Sequence, residues 1–103
     1  MNGSQTPRDR VESWIKIHQN RIGTLKKLHR VEEPGYSLTA WFETPQYLID
    51  ICAWDHACCL DIEALNIATE KTEFCVTGPC ESGAALNQRL ENFLQWMELK
   101  KNA

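Results

Sequence analysis

The chain has 103 residues, 43% of them hydrophobic and 9% aromatic, with 11 Lys and Arg against 14 Asp and Glu for a formal net charge of −3. That length makes one domain, which buries roughly two thirds of the surface its extended chain would expose, and it excludes two-domain enzymes. No run of 18 apolar residues occurs, and the start Met-Asn-Gly-Ser-Gln-Thr-Pro-Arg lacks the basic and apolar stretches of a signal peptide, so the expected location is the cytoplasm.

The charge is unevenly placed. Residues 1–35 carry Arg8, Arg10, Lys16, Arg21, Lys26, Lys27 and Arg30 against Asp9, Glu12, Glu32 and Glu33, a balance of +3. Residues 36–82 set Lys71 alone against Glu43, Asp50, Asp55, Asp61, Glu63, Glu70, Glu73 and Glu81, a balance of −7. A dense acidic middle repels nucleic acid and attracts basic partners. Five cysteines (Cys52, Cys58, Cys59, Cys75, Cys80), an odd number without a secretion signal, point to reduced thiols and no obligatory bridge.

Thr6 before Pro7 reads as the N-cap and first residue of a helix, with Asp9 in the first turn complementing the helix dipole. Val11, Trp14, Ile15, His18, Ile22 and Leu25 recur at spacings of three and four and make its buried stripe, which Gly23 weakens or ends. From Leu25 to Glu33 two readings stand. Leu25, Leu28 and Val31 prolong a helix, or Lys27, His29 and Val31 share one face of an edge strand; Pro34-Gly35 closes the segment as a turn.

The period then changes to two. Ser37–Glu43 and Tyr47–Trp54 alternate as half-buried strands joined by Thr44-Pro45-Gln46 into a hairpin. After Asp55-His56-Ala57 a third strand places Cys58, Leu60, Ile62 and Ala64 inward, and after the turn near Thr69–Lys71 a fourth places Phe74 and Val76 inward. Gly78-Pro79 ends the sheet. Ser82 caps a closing helix with Leu86, Leu90, Phe93, Leu94, Met97 and Leu99 on its apolar side and Asn87, Arg89, Glu91 and Glu98 toward solvent. The fold expected is a two-layer α+β domain: an antiparallel meander of about four strands, with N- and C-terminal helices packed on one face. It spans residues 1–103, with 1–5 and 101–103 expected to fray.

With both helices on one face, the other faces solvent. The alternation turns Trp41, Glu43, Leu48, Asp50, Cys52, Trp54, Cys59, Asp61, Glu63, Leu65, Glu73 and Cys75 onto it. Acidic outward residues keep a sheet from aggregating, but solubility does not ask for two tryptophans beside them. Trp41 and Trp54 as apolar anchors, with Glu43, Asp50, Asp55, Asp61, Glu63 and Glu73 as charge partners, suit a protein-binding surface.

Other chemistry fits less well. Adjacent Cys58 and Cys59 on a strand point to opposite faces, unlike the C-x-x-C spacing of a zinc site, so no metal or cofactor is expected. Paired carboxylates on an open sheet face have no enclosed pocket to raise one pKa for acid–base work. Phosphate-binding glycine patterns are absent, and the basic residues from Arg8 to Arg30 suit the solvated side of an amphipathic helix better than an RNA contact.

The tryptophan in the first helix (Trp14), the segments Tyr36-Ser37-Leu38-Thr39-Ala40-Trp41-Phe42-Glu43, Tyr47–Trp54, Cys58–Asn66 and Phe74-Cys75-Val76, and the ending Leu90-Glu91-Asn92-Phe93-Leu94-Gln95-Trp96-Met97 together resemble the small immunity proteins of the TriTu type. The resemblance spans residues 10–99 and is one of pattern and spacing; the five cysteines depart from it. It implies a cytoplasmic antitoxin with no activity of its own. Its partner would be the C-terminal nuclease domain of a bacterial contact-dependent growth inhibition toxin, which cleaves tRNA and brings elongation factor Tu into the assembly through the toxin. No direct contact with nucleic acid or membrane is implied. A small cytoplasmic adaptor for another basic protein uses the same face, and a thiol or metal enzyme is the remaining alternative.

Overall fold

Thr6 accepts a hydrogen bond from the Asp9 backbone N–H at 3.2 Å, and Pro7 follows it as the first residue of helix α1 (Pro7–Ile22) in this computed structural model, which describes residues 6–101. Helix α1 ends at Gly23, a position with no room for a side chain. A Cβ there would sit 2.8 Å from the Glu43 carbonyl oxygen and 2.8 Å from a Thr44 methyl. The chain then enters β1 (Thr24–Val31), which settles the two readings of that segment in favour of an edge strand. Strands β2 (Ser37–Glu43), β3 (Tyr47–Trp54), β4 (Cys59–Asn66) and β5 (Thr72–Val76) follow, with a short 3-10 turn His56–Cys58 before β4. Helix α2 (Gly83–Lys101) closes the chain, and the Ser82 hydroxyl accepts from the Ala85 backbone N–H at 3.1 Å as its cap. The fraying expected of residues 1–5, 102 and 103 lies outside the described residues; Lys101, expected to fray with them, ends α2 instead.

The sheet is a five-stranded antiparallel meander in the order β1-β2-β3-β4-β5, one strand more than expected. The extra strand has a geometric consequence. An odd number of antiparallel strands makes β1 and β5 run the same way, so the helix entering β1 and the helix leaving β5 lie parallel rather than antiparallel. The cross-helix ties show this: the Trp14 indole donates to Glu91 at 3.1 Å and, one helical stretch further on, Arg21 pairs with Glu98.

The core lies between the sheet and both helices. Leu38, Ala40, Phe42, Ile49, Ile51, Ala53, Leu60, Ile62 and Ala64 share one sheet face, and all are buried against Val11, Ile15 and Ile22 of α1 and Leu86, Leu90, Phe93 and Met97 of α2. An aromatic group of Tyr47, Phe74, Phe93 and Trp96 seals the β5 side, with ring centroids 5.2–6.3 Å apart. Two expectations for α2 need correction. Leu99 is 71% exposed, because it falls on the same side of the helix as the exposed Asn92 and Gln95, away from the stripe of Leu90, Phe93, Leu94 and Met97. Arg89 does not face solvent; its guanidinium reaches the sheet and donates to the carbonyls of Leu60, Gly78 and Pro79, closing the end of β4.

Arg30 holds β1 to α1 by donating to Asp9 at 2.9 Å, Glu12 at 2.7 Å and Glu32 at 3.0 Å. The Arg30 guanidinium keeps the Asp9 and Glu32 carboxyls below their ordinary values, and Tyr47 with Asn66 does the same for Glu73. A carboxyl depressed on folding contributes stability that is complete above its unfolded value and disappears as pH falls through the folded one. Urea midpoints should therefore drop steadily once pH goes below the ordinary carboxylate range of about 4. Arg30→Met should flatten that decline; an unchanged slope would remove the network from the acid response.

Candidate protein-binding face

The registers define the outer face row by row. Lys27, Trp41, Asp50, Glu63 and Cys75 form one row across all five strands; His29, Thr39, Cys52 and Asp61 form the next; Val31, Ser37, Trp54 and Cys59 lie toward one end. Toward the other end Glu43, Leu48 and Leu65 stand side by side. The alternation thus brings Trp41, Glu43, Asp50, Trp54, Asp61 and Glu63 onto one surface.

Trp41 and Leu48 are its apolar centre. Trp41 is 46% and Leu48 45% exposed, although each is large enough to be worth burying. With Lys26, Phe42, Glu43, Ile49 and Asp50 they line an open hollow of about 380 Å³. The Lys27 ammonium lies 4.5 Å from the Trp41 ring centroid, a cation–π contact that fixes the indole over the sheet. Trp54 is half-buried at the far end.

The carboxylates differ in what they are free to do. Asp50 stands directly opposite Glu63, and Asp61 opposite Cys52 beside them. Like charges placed opposite across strands repel, and among the described residues no cation forms an ion pair with any of the three. Their recorded partners are weak or neutral: the Cys52 thiol donates to Asp50 at 3.4 Å, the Cys75 thiol to Glu63 at 3.9 Å, and the Gly78 backbone N–H to Asp61 at 2.9 Å. Gly78 makes that last bond from φ +93°, a conformation that favours glycine.

Two expected charge partners are placed elsewhere. Asp55 leaves the face and accepts from Arg8 twice, from Nε at 3.0 Å and from the backbone N–H at 3.1 Å. Glu73 is displaced by an irregularity in the β4–β5 register at Ala64/Leu65, which breaks the alternation; it accepts from the Tyr47 hydroxyl at 2.7 Å and from Asn66 at 2.8 Å, and it pairs with Lys100 of α2. Glu43 stays on the face but is paired, 3.9 Å from Lys26.

Sequence reasoning missed the basic border. A bulge between Leu25 and Lys27 makes Lys26 an extra residue, so Lys26 reaches the Trp41 hollow while Lys27 keeps its outward position. The outer face therefore grades from positive at β1 to negative at β3 and β4. Two consecutive lysines in an edge strand were the available signal, since edges are commonly blunted with lysine and bulges.

The Cys52 thiol is pushed up to about 11 by burial and is protonated at neutral pH, which disarms it as a nucleophile. All five cysteines are free, and among the described residues no group of three or more His, Cys, Asp or Glu side chains is arranged to hold a metal ion. No described helix is long and apolar enough to cross a membrane. Comparisons of the chain with known protein families, with curated proteins and with solved structures return no match.

Proposed function

We propose that this protein binds a basic protein partner through the outer face of its sheet and acts as an immunity protein of the TriTu type, neutralising the tRNA-cleaving nuclease domain of a contact-dependent inhibition toxin in the cytoplasm. One observation carries the binding reading. Asp50, Asp61 and Glu63 lie together, with no ion pair to any of them among the described residues, next to the exposed Trp41–Leu48 hollow. Such an arrangement costs the free protein repulsion and exposed apolar area, and a partner supplying Arg or Lys beside an apolar group relieves both. A nuclease must present basic residues to RNA, so the same carboxylates occupy the surface its substrate needs. The toxin reading adds the sequence resemblance to this geometry, and elongation factor Tu joins the assembly through the toxin.

The test is growth rescue. Cells producing the proposed toxin partner, a tRNA-cleaving nuclease domain, are expected to grow when the chain is co-produced and to arrest when it is absent. Binding of a basic protein without rescue would select the adaptor reading; neither binding nor rescue by the folded chain would end the proposal.

A further inference from the structure

Two of the five free cysteines lie opposite each other where the chain entering β4 pairs with the segment leading into α2. Cys59 forms an isolated antiparallel bridge with Pro79, the Leu60 N–H donates to the Gly78 carbonyl at 3.1 Å, and the Cys80 N–H donates to the Cys58 carbonyl at 2.9 Å. All three contacts share one register, so Cys58 and Cys80 are direct cross-chain neighbours. Cys58 and Cys80 make one of the two hydrogen bonds of such a pair, the Cys58 N–H turning to the Asp55 carbonyl instead; Cα atoms opposed in a regular pair lie about 5.5 Å apart, inside the span of roughly 4.4–6.8 Å that a disulfide bridges.

The side chains agree with the backbone. Cys80 is buried in the core and Cys58 packs against that same core, so both sulfurs lie on the inner side. The Cys58 thiol donates to the Ser82 carbonyl at 3.9 Å, which directs its sulfur toward the segment that carries Cys80. Cys59, one residue away, alternates to the outer face opposite Trp54, and Cys52 and Cys75 lie in different rows of that face with β4 between their strands. Among the described residues, Cys58 and Cys80 are the one thiol pair in direct register.

We propose that Cys58 and Cys80 form a reversible disulfide when the folded protein meets a low-molecular-weight disulfide such as oxidised glutathione. Cys58, half-exposed at the turn, is the first to react: its thiolate attacks one sulfur of the small disulfide and expels the other as a thiolate. Cys80, desolvated and therefore held as a thiol, loses its proton to that thiolate as its sulfur attacks Cys58 Sγ and expels the second small thiol. The balance is two protein thiols and one small disulfide giving one protein disulfide and two small thiols. The bridge fastens the His56–Cys58 turn to the segment leading into α2, closing the loop that contains β4 and β5. This inference is independent of the partner proposal.

The experiment incubates the folded, full-length chain with excess oxidised glutathione, alkylates the remaining thiols, and measures intact mass. The expected result is two fewer alkylated cysteines than the five of the reduced protein, restored by dithiothreitol, with a thermal midpoint shifted upward by oxidation. Cys59→Ser and Cys75→Ser should keep the loss of two thiols, and Cys80→Ser should abolish it. Because a hydroxyl at the buried Cys80 position can impair folding, Cys58→Ser at the half-exposed position provides the second control. A stable glutathione adduct with no bridge, a bridge persisting in Cys58→Ser, or a lowered midpoint on oxidation would each overturn the proposal.

Discussion

The Glu63→Lys protein is expected to melt higher than the wild type and to bind the proposed basic partner roughly 30-fold or more weakly, the equivalent of about 2 kcal/mol. The two effects have one cause. Asp50 and Glu63 are directly opposed across β3 and β4 with no ion-pair partner among the described residues, and Asp61 lies two residues along the same strand. A lysine at position 63 converts a repulsive cross-strand pair into an attractive one and adds a cation beside Asp61, which is worth about 0.5–1 kcal/mol in the free protein. For a domain of this size that raises the thermal midpoint by about 4 °C. A basic partner gains from the very repulsion that the free protein tolerates, so the substitution takes away its counter-charge and replaces it with a like charge. A variant that lost both stability and binding would show that Glu63 is part of the fold's support instead.

Arg8→Met is expected to be the most destabilising polar substitution, at about 3 kcal/mol, with a fall of roughly 10–20 °C in thermal midpoint. Arg8 is 5% exposed and is the only charged residue among the buried described ones. Its Nε donates to Asp55, its Nη1 donates to the Val31 carbonyl at 2.9 Å and pairs with Glu32 at 3.3 Å, and its guanidinium lies 5.2 Å from the Tyr36 ring centroid. One side chain therefore ties the first turn of α1 to the end of β1 and to the turn after β3. Methionine keeps the apolar volume and removes the guanidinium donors, leaving Asp55 with only the backbone N–H of residue 8 and the Val31 carbonyl without its side-chain donor. Adding Asp55→Leu to Arg8→Met should recover part of the loss, because the stranded charge goes with it. A midpoint for Arg8→Met within about 2 °C of wild type would contradict this assignment.

Local signals in the sequence were readable where they agreed with the tertiary structure. Thr6-Pro7 and Ser82 are the caps of the two helices, and the strict alternation of Leu38, Ala40, Phe42 and of Ile49, Ile51, Ala53 fixed which face of β2 and β3 is buried. That alternation is also what placed Trp41, Asp50, Asp61 and Glu63 on one surface. It failed wherever a register irregularity interrupts it. The bulge at Lys26 blurs the period of β1 between helix and strand, and with it went the fifth strand, the parallel helices and the basic border of the face. The irregularity at Ala64/Leu65 sends Glu73 to Tyr47 and Lys100. Asp55 was misplaced for a different reason: its partner Arg8 is 47 residues away, and no local pattern reveals a contact at that separation. Summed charge behaved likewise, since a balance of −7 over residues 36–82 conceals that Lys26 and Lys27, from outside that segment, share the same face.

The central claim is that the outer sheet face is the partner surface, and its most direct test is a calorimetric titration of the proposed partner, a basic nuclease toxin domain, into wild-type and Glu63→Lys protein, at low and at high salt. The account predicts a Kd roughly 30-fold or more higher for Glu63→Lys at low salt, a difference that narrows at high salt as screening weakens the charge interaction, and a variant that remains folded throughout. An unchanged Kd with a folded variant would place the interface on the helices or the loops and contradict the account.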